Sequence, residues 1–463
     1  MERNRLMELN KKEVKERVAA YRDELLDRLG KLIAINSEEG TPTADMPFGE
    51  GPAKALHTAL DMLDKDGFKT VNVDNYAGYA EMGEGDKVIG VIGHLDVVPA
   101  KKSDGWDSEP YEMVEKDGIV YGRGVSDDKG AVVASMISLK VIKDMGLPVN
   151  KRVRLIMGTN EETGSKCLEH YVEKEGHVDL GFTPDGDFPG IYGEKGIMRV
   201  DYHSKSNNIL DVKGGNAVNI VCDKVNAKIK AGSFDETRFA SYIKENGLTF
   251  ESSKDGDAVV LTVFGKAAHA STPDLGINAI SHLFAGLKSA GMDDPFVDFY
   301  CSRIGLDTNG ASFFNEAVTD EYGALTLNSG VISMENGIVN GIIDIRFPVT
   351  LKKEDVIAKI KLEESNGSFE VSTAVDPLFI DPKSPLVTSL ASAYEEITGD
   401  TTNKPMVIGG GTYAKEINNT MAFGCAFPGK DYRIHNTNEW CPVDELLLQA
   451  EIYVHAIMKL VEV

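Results

Sequence analysis

The chain has 463 residues, room for two or three domains with sizeable cores. Hydrophobic residues make up 42% and charged residues 26%, the balance of a soluble globular protein. A net charge of −24 argues against a nucleic-acid backbone or an anionic membrane as partner, because both repel it, and is compatible with attracting metal cations.

The N-terminal stretch MERNRLMELNKKEVKERV is charged and has no apolar segment, so it does not read as a signal peptide. No run approaches the length of a membrane-spanning helix. Residues 11–35 place Val14, Val18, Tyr21, Leu25, Leu29 and Leu32 on one face and predict a helix. A second helix is expected from Pro52 to just before Gly67, with Ala55, Leu56, Ala59, Leu60 and Leu63 inward. VIGVIG at 88–93 and VRLIMG at 153–158 read as buried parallel strands, and GAVVASMISLKVIKDMG at 130–146 as the helix between them. Strand, helix, strand implies an α/β domain. After about residue 195, MRVDYHS, AVVLTVFG and GIIDIRFPV read as strands, with helices near 273–290 and 352–363, which suggests an α+β layer. An apolar helix near 444–461 (Leu446, Leu447, Ala450, Val454, Ile457, Leu460) returns to the first character. The first domain is therefore predicted to be discontinuous: 1–194 and 377–463, with 195–376 inserted. The five cysteines (Cys167, Cys222, Cys301, Cys425, Cys441) are scattered without a CxxC pair, which fits a reducing cytoplasm.

Six residues of metal-ligand type stand where apolar runs stop, in GVIGHLDVVP, YGRGVSDDKG, GTNEETGS, GFTPDGDFPG and IHNTNEW. They are His94, Asp127, Glu161, Glu162, Asp185 and His435. Open α/β sheets bind ligands beyond the carboxyl ends of their strands, so these side chains converge by topology as well as by type. Two histidines and three carboxylates suit Zn²⁺, Mn²⁺ or Co²⁺. Five ligands exceed one structural zinc and match two ions sharing a carboxylate, roughly 3.5–4 Å apart in hydrolytic sites. An additional acid beside a ligand, Glu161 before Glu162, supplies the base that hydrolysis needs. The adjacent pair of glutamates alone could be solvated helix charge, but it follows a buried strand. Six other histidines, His57, His170, His177, His203, His282 and His455, read as ordinary buried or exposed side chains. YGRGVSDDKG lacks the third glycine of a dinucleotide loop and opens onto acids. There is no Walker motif and no GxSxG elbow.

Together these motifs, in this order from GHLDVVP to IHNTNEW, resemble the M20 metallopeptidase family and within it the PepV-like dipeptidases. The resemblance implies an α/β catalytic domain with a mixed or parallel sheet of the zinc-peptidase kind, and an inserted α+β lid of ~180 residues, within the usual domain range. It implies that His94, Asp127 and Asp185 hold one ion and Asp127, Glu162 and His435 the other, with Asp127 rather than Asp128 as the bridge. It makes Asp96 the carboxylate that accepts the second N–H of His94. In GKAAHASTPDLGINAI, His269 matches the lid histidine, expected to donate to the developing oxyanion. Arg346 in DIRFP and Asn219 in GGNAVNIV match positions that grip a substrate carboxylate, which a planar guanidinium pairs bidentately. Without the resemblance Arg346 could be a surface ion pair. GGGTYAK resembles a glycine-rich loop whose backbone, Gly410 above all, helps hold the same carboxylate; alternatively it is a tight turn. Lys415 stands where the family has arginine, and Cys222 where proline often follows NxV.

The reading is a cytoplasmic, monomeric di-metal dipeptidase with Zn²⁺ the first choice and Mn²⁺ or Co²⁺ possible, acting on dipeptides with a free C-terminal carboxylate. Glu161 is the general base and then the acid. An N-acyl amino acid amidohydrolase of the same family, an inactive binding protein on this fold and a di-metal phosphoesterase are the alternatives.

Overall fold

A computed structural model describes residues 9–463, so the N-terminal part of the signal-peptide reading lies outside the described residues. Val88–His94 is buried at every position. Its side chains divide by parity, as a strand requires. Ile89 and Val91 join one apolar cluster and Val88 and Ile92 another. A strand covered on both faces is the environment of a parallel α/β sheet. Val88–His94 indeed pairs in parallel with Arg152–Gly158 on one side and Leu180–Thr183 on the other. Thr420–Ala422 extends the parallel set beyond Leu180–Thr183. Ala77–Met82 and Lys69–Val73 close the far side in antiparallel sense.

The crossover between the two central strands is the helix Lys129–Asp144, buried along almost its whole length. It packs against Val443–Glu462, whose buried stripe includes Leu446, Ala450, Val454, Ile457 and Leu460. The N-terminal segment differs from the expected single helix. It forms two helices, Lys11–Ala20 and Arg22–Ile33, separated at Tyr21, whose ψ of 8° leaves the helical range. Glu50–Lys65 buries all five residues predicted to face inward and ends before Gly67.

Contacts divide the chain into two compact units. The first runs to Tyr192 and resumes over Ile380–Met406 and Gly411–Val463; the second comprises Gly193–Phe379 and Val407–Gly410. The second unit is an antiparallel sheet ordered Thr249–Asp255, Ala258–Phe264, Lys224–Lys230, Ile209–Gly214, Thr326–Glu335, Ile338–Phe347, Gly196–Lys205, Gly367–Val375, Glu363–Glu364. Gly196–Lys205 alternates buried and more exposed positions, placing Met198, Val200 and Tyr202 in the core. The helices Glu236–Glu245, Ala279–Ser289 and Pro295–Arg303 contribute Phe239, Leu283, Phe284, Phe296 and Tyr300 to that same core. The helix expected over 352–363 is shorter, Lys353–Ile357. The chain is instead drawn into a hairpin in which Glu363 and Glu364 pair with Ser368 and Gly367. Ser365 and Asn366 form the two-residue loop between the paired ends. Among the described residues no helix is long and apolar enough to cross a membrane.

Candidate metal centre

The parallel strands deliver the donors. His94 is the last residue of Val88–His94, Glu161 and Glu162 follow Arg152–Gly158, and Asp185 follows Leu180–Thr183. Asp127 lies just before the helix Lys129–Asp144. His435 comes from the segment before Val443–Glu462 and has a left-handed backbone, φ 62°. All belong to the first unit.

The His94 ring is fully buried, and its Nδ1 lies 3.0 Å from the backbone carbonyl of Asp96. With the proton on Nδ1, Nε2 is left facing Asp127 Oδ1 at 2.9 Å and Asp185 Oδ2 at 3.9 Å. His435 Nε2 lies 2.8 Å from Asp127 Oδ2 and 3.2 Å from Glu162 Oε2. The two oxygens of Asp127 are thus divided between the two histidines. Ligand atoms of His94, Glu161 and Asp185 lie within 4.8 Å of one another, as do those of His94, Asp127 and Glu162. Asp96 differs from its expected role. Its carboxylate accepts the N–H groups of Glu161 and Glu162, both at 3.0 Å, and stands 3.5 Å from His94 Nδ1, too far for a good hydrogen bond. Two free N–H groups at a strand end outcompete an imidazole already served by a carbonyl.

Charge is crowded here. Burial raises the Glu161 carboxyl well above its ordinary value. Burial and then the charge of Asp127 raise Asp185 to about 7. Burial also acts on Asp127, but hydrogen bonds from His435 and His94 outweigh it and hold that carboxyl low. The carboxylates of Asp127 and Glu162 raise His435 to about 11. Four carboxyl groups and two imidazoles face one another here, and Glu162 Oε1 is buried with no hydrogen-bond partner. Acceptors of this kind fit divalent cations.

Sequence reading missed Tyr413, within the quoted GGGTYAK. Its fully buried ring stands edge-on to His94 at 5.9 Å between centroids, and its hydroxyl meets Cys167 Sγ at 2.9 Å. An aromatic in a glycine-rich loop was the available signal.

The second unit gathers the other predicted residues. Ile220 and His269 form an antiparallel bridge, and the Ala270 N–H donates to the Asn219 carbonyl at 2.9 Å. Asn328 Nδ2 donates to the carbonyls on both sides of Asn219, Val218 at 3.3 Å and Ile220 at 3.1 Å. His269 Nδ1 accepts from the Ser271 N–H at 3.2 Å and lies 2.7 Å from its hydroxyl. An accepting Nδ1 puts the proton of the neutral ring on Nε2. Burial, then the charge of Arg346, lower the His269 pKa and favour that neutral form. Arg346 is no surface ion pair: it is buried, with Nε 2.5 Å and Nη2 3.1 Å from the Asp344 carboxylate, and Nη1 donating to the Gly409 carbonyl at 2.9 Å. Gly409 must be glycine, because a Cβ there would meet the Ser271 Cβ at 2.4 Å. Gly410 follows it, also in this unit.

Histidines and carboxylates assembled at the ends of parallel strands, with a further acid beside them, are the parts of a metal-dependent hydrolase. Residues 90–459 match the profile of Peptidase family M20/M25/M40; the chain belongs to that family and is a metallopeptidase. A Staphylococcus epidermidis protein named "Putative dipeptidase" is 34% identical over 466 residues, covering 96% of this chain and 99% of its own length. A Staphylococcus haemolyticus protein of like designation is 35% identical over 467 residues, with the same coverage. Among solved structures, human carnosine dipeptidase 1 matches with a TM-score of 0.60 at 18% identity, over 98% of this chain and 99% of that one. The di-peptidase Dug1p from Saccharomyces cerevisiae matches at 0.58 and 16% identity, over 98% and 99%. At these identities the two structures speak for the fold.

Proposed function

We propose that the protein is a dipeptidase that works with two divalent ions, Zn²⁺ foremost, on dipeptides with a free C-terminal carboxylate. The observation that carries this reading is the division of the Asp127 oxygens between His94, at 2.9 Å, and His435, at 2.8 Å. One ion would be held by His94, Asp127 and Asp185, the other by Asp127, Glu162 and His435. Bound ions supply Lewis acidity toward the scissile carbonyl and the attacking water. Glu161 accepts the proton of that water and delivers it to the leaving amine. His269 donates its Nε2 proton in a hydrogen bond to the carbonyl oxygen as that oxygen gains charge. Asn219, Arg346 and Gly410 hold the C-terminal carboxylate. The relatives' designation as dipeptidases supports the substrate class. Five free cysteines support a reducing, cytoplasmic setting, and we take the working form to be a monomer.

The test is stoichiometry with turnover. Chelator-stripped protein reloaded with Zn²⁺ or Mn²⁺ should hold two ions per chain by elemental analysis and hydrolyse free dipeptides. One ion at saturation sinks the two-ion reading. Preference for an N-acetyl amino acid over a dipeptide sinks the dipeptidase reading and favours an amidohydrolase.

The carboxylate grip has its own test. Arg346→Ala would leave Asp344 buried and unpaired, a change of a type that costs about 3–5 kcal/mol. Arg346→Lys keeps a cation beside Asp344 and removes the fork. The expected result is a fall of roughly tenfold or more in the ratio of kcat/KM for a dipeptide over its C-terminal amide. An unchanged ratio in folded protein places carboxylate recognition elsewhere.

A further inference from the structure

Among the fully buried acids that this chemistry leaves unused, one lies in the segment that carries His435. Glu439 lies four residues after His435 in IHNTNEW and is 0% exposed. Its Oε1 accepts the N–H of Ser126 at 2.8 Å and of Asp127 at 3.1 Å. Its Oε2 accepts the N–H of Gly124 at 3.0 Å and Arg123 Nη1 at 2.8 Å. Around it the two loops are tied twice more: the Gly122 N–H donates to the Glu439 carbonyl at 3.2 Å, and the Ser126 hydroxyl to the Trp440 carbonyl at 2.9 Å. Arg123 is itself buried and lies over the Trp106 ring at 5.2 Å.

We infer that Glu439 is a positioning residue that fixes Asp127 relative to His435 and so builds the ion site of Asp127, Glu162 and His435. The inference rests on the two-ion reading above. Its physical basis is the acceptor count. A carboxylate offers two acceptor oxygens, and here each receives two donors. The donors Arg123, Gly124, Ser126 and Asp127 belong to the loop that ends in Asp127, so their orientation sets where the Asp127 carboxyl points. The acceptor and His435 share one short segment, so the distance between the two ligands is fixed through Glu439 rather than through the sheet. Groups that orient ligands in this way govern ion affinity without touching the ion.

Glu439→Gln tests this closely. The amide NH₂, in either orientation, faces two donors, so no rotamer restores the network. Glu439→Asp keeps the charge but is one methylene too short to reach both donor pairs, and stands in if Glu439→Gln does not fold. Stripped protein is titrated with Mn²⁺ by calorimetry, and its melting temperature is measured without metal. Wild type should bind two ions. In the variant the ion of Asp127, Glu162 and His435 should bind roughly 10–100-fold more weakly and the other ion, which shares Asp127, should weaken less; excess Mn²⁺ should restore dipeptide turnover. Wild-type affinity for both ions in Glu439→Gln and Glu439→Asp overturns the inference. So does equal weakening of both ions in step with a lowered melting temperature, which marks a purely structural role. A wild-type chain that binds a single ion overturns the two-ion reading and this inference with it.

Discussion

Glu161→Gln is expected to keep both ions and to lose turnover by roughly 10²–10⁴-fold, the usual worth of a positioned general base. Glutamine keeps the shape of the side chain and the N–H that Asp96 Oδ1 accepts at 3.0 Å, so the loop should stay in place. What disappears is the capacity to take a proton from water and return it to the amine. The measurement is kcat/KM for a dipeptide together with metal content of the same sample. Near-normal turnover of the fully loaded variant would refute the base assignment. Loss of one ion would carry a different message. Glu161 shares a cluster with His94 and Asp185 within 4.8 Å, so that outcome would make it a ligand.

His269→Ala should lower kcat on the order of 10²–10³-fold, as for removal of one oxyanion donor. The ring's hydrogen-bond partners are the amide and hydroxyl of Ser271, in its own loop, so its removal should leave metal content and melting temperature unchanged. A rise in KM with kcat intact would instead mark a binding contact. The same variant tests the monomer. Inactive His269→Ala is mixed with inactive Glu161→Gln after denaturation and refolding together. A histidine that serves its own chain recovers no activity. Clear complementation would show that chains share sites and would sink the monomer reading.

Much of the first unit was legible because the signals are local. Short apolar runs rich in Val and Ile, such as VIGVIG and VRLIMG, read as strands covered on both faces, and they pair in parallel as expected. The helices missed in the reading carried signals that went unused. Asp294 caps Pro295–Arg303 and Ser384 caps Pro385–Thr398, each with proline at the helix start. The overlong helix near 352–363 shows the opposite error, a periodic pattern extended through residues that a hairpin claims.

The candidate site divides in the same way. The sequence by itself determined the inventory: two histidines and the acids, with His94, Glu161, Glu162 and Asp185 at the ends of strands, because residue type and strand-end position are local properties. Only the tertiary structure decided the partners. Asp96 turns to the N–H groups of Glu161 and Glu162, Arg346 is engaged by Asp344, and Asp127 is shared between His94 and His435. Each of these choices is a competition among donors and acceptors for a buried polar group, which must be satisfied by whatever folding brings near. Val407–Gly410 joins the second unit for a related reason: the Lys195 N–H donates to the Ile408 carbonyl, and Arg346 to that of Gly409. Those neighbours are distant in sequence, and the energy that selects them exists only once the chain has closed around them.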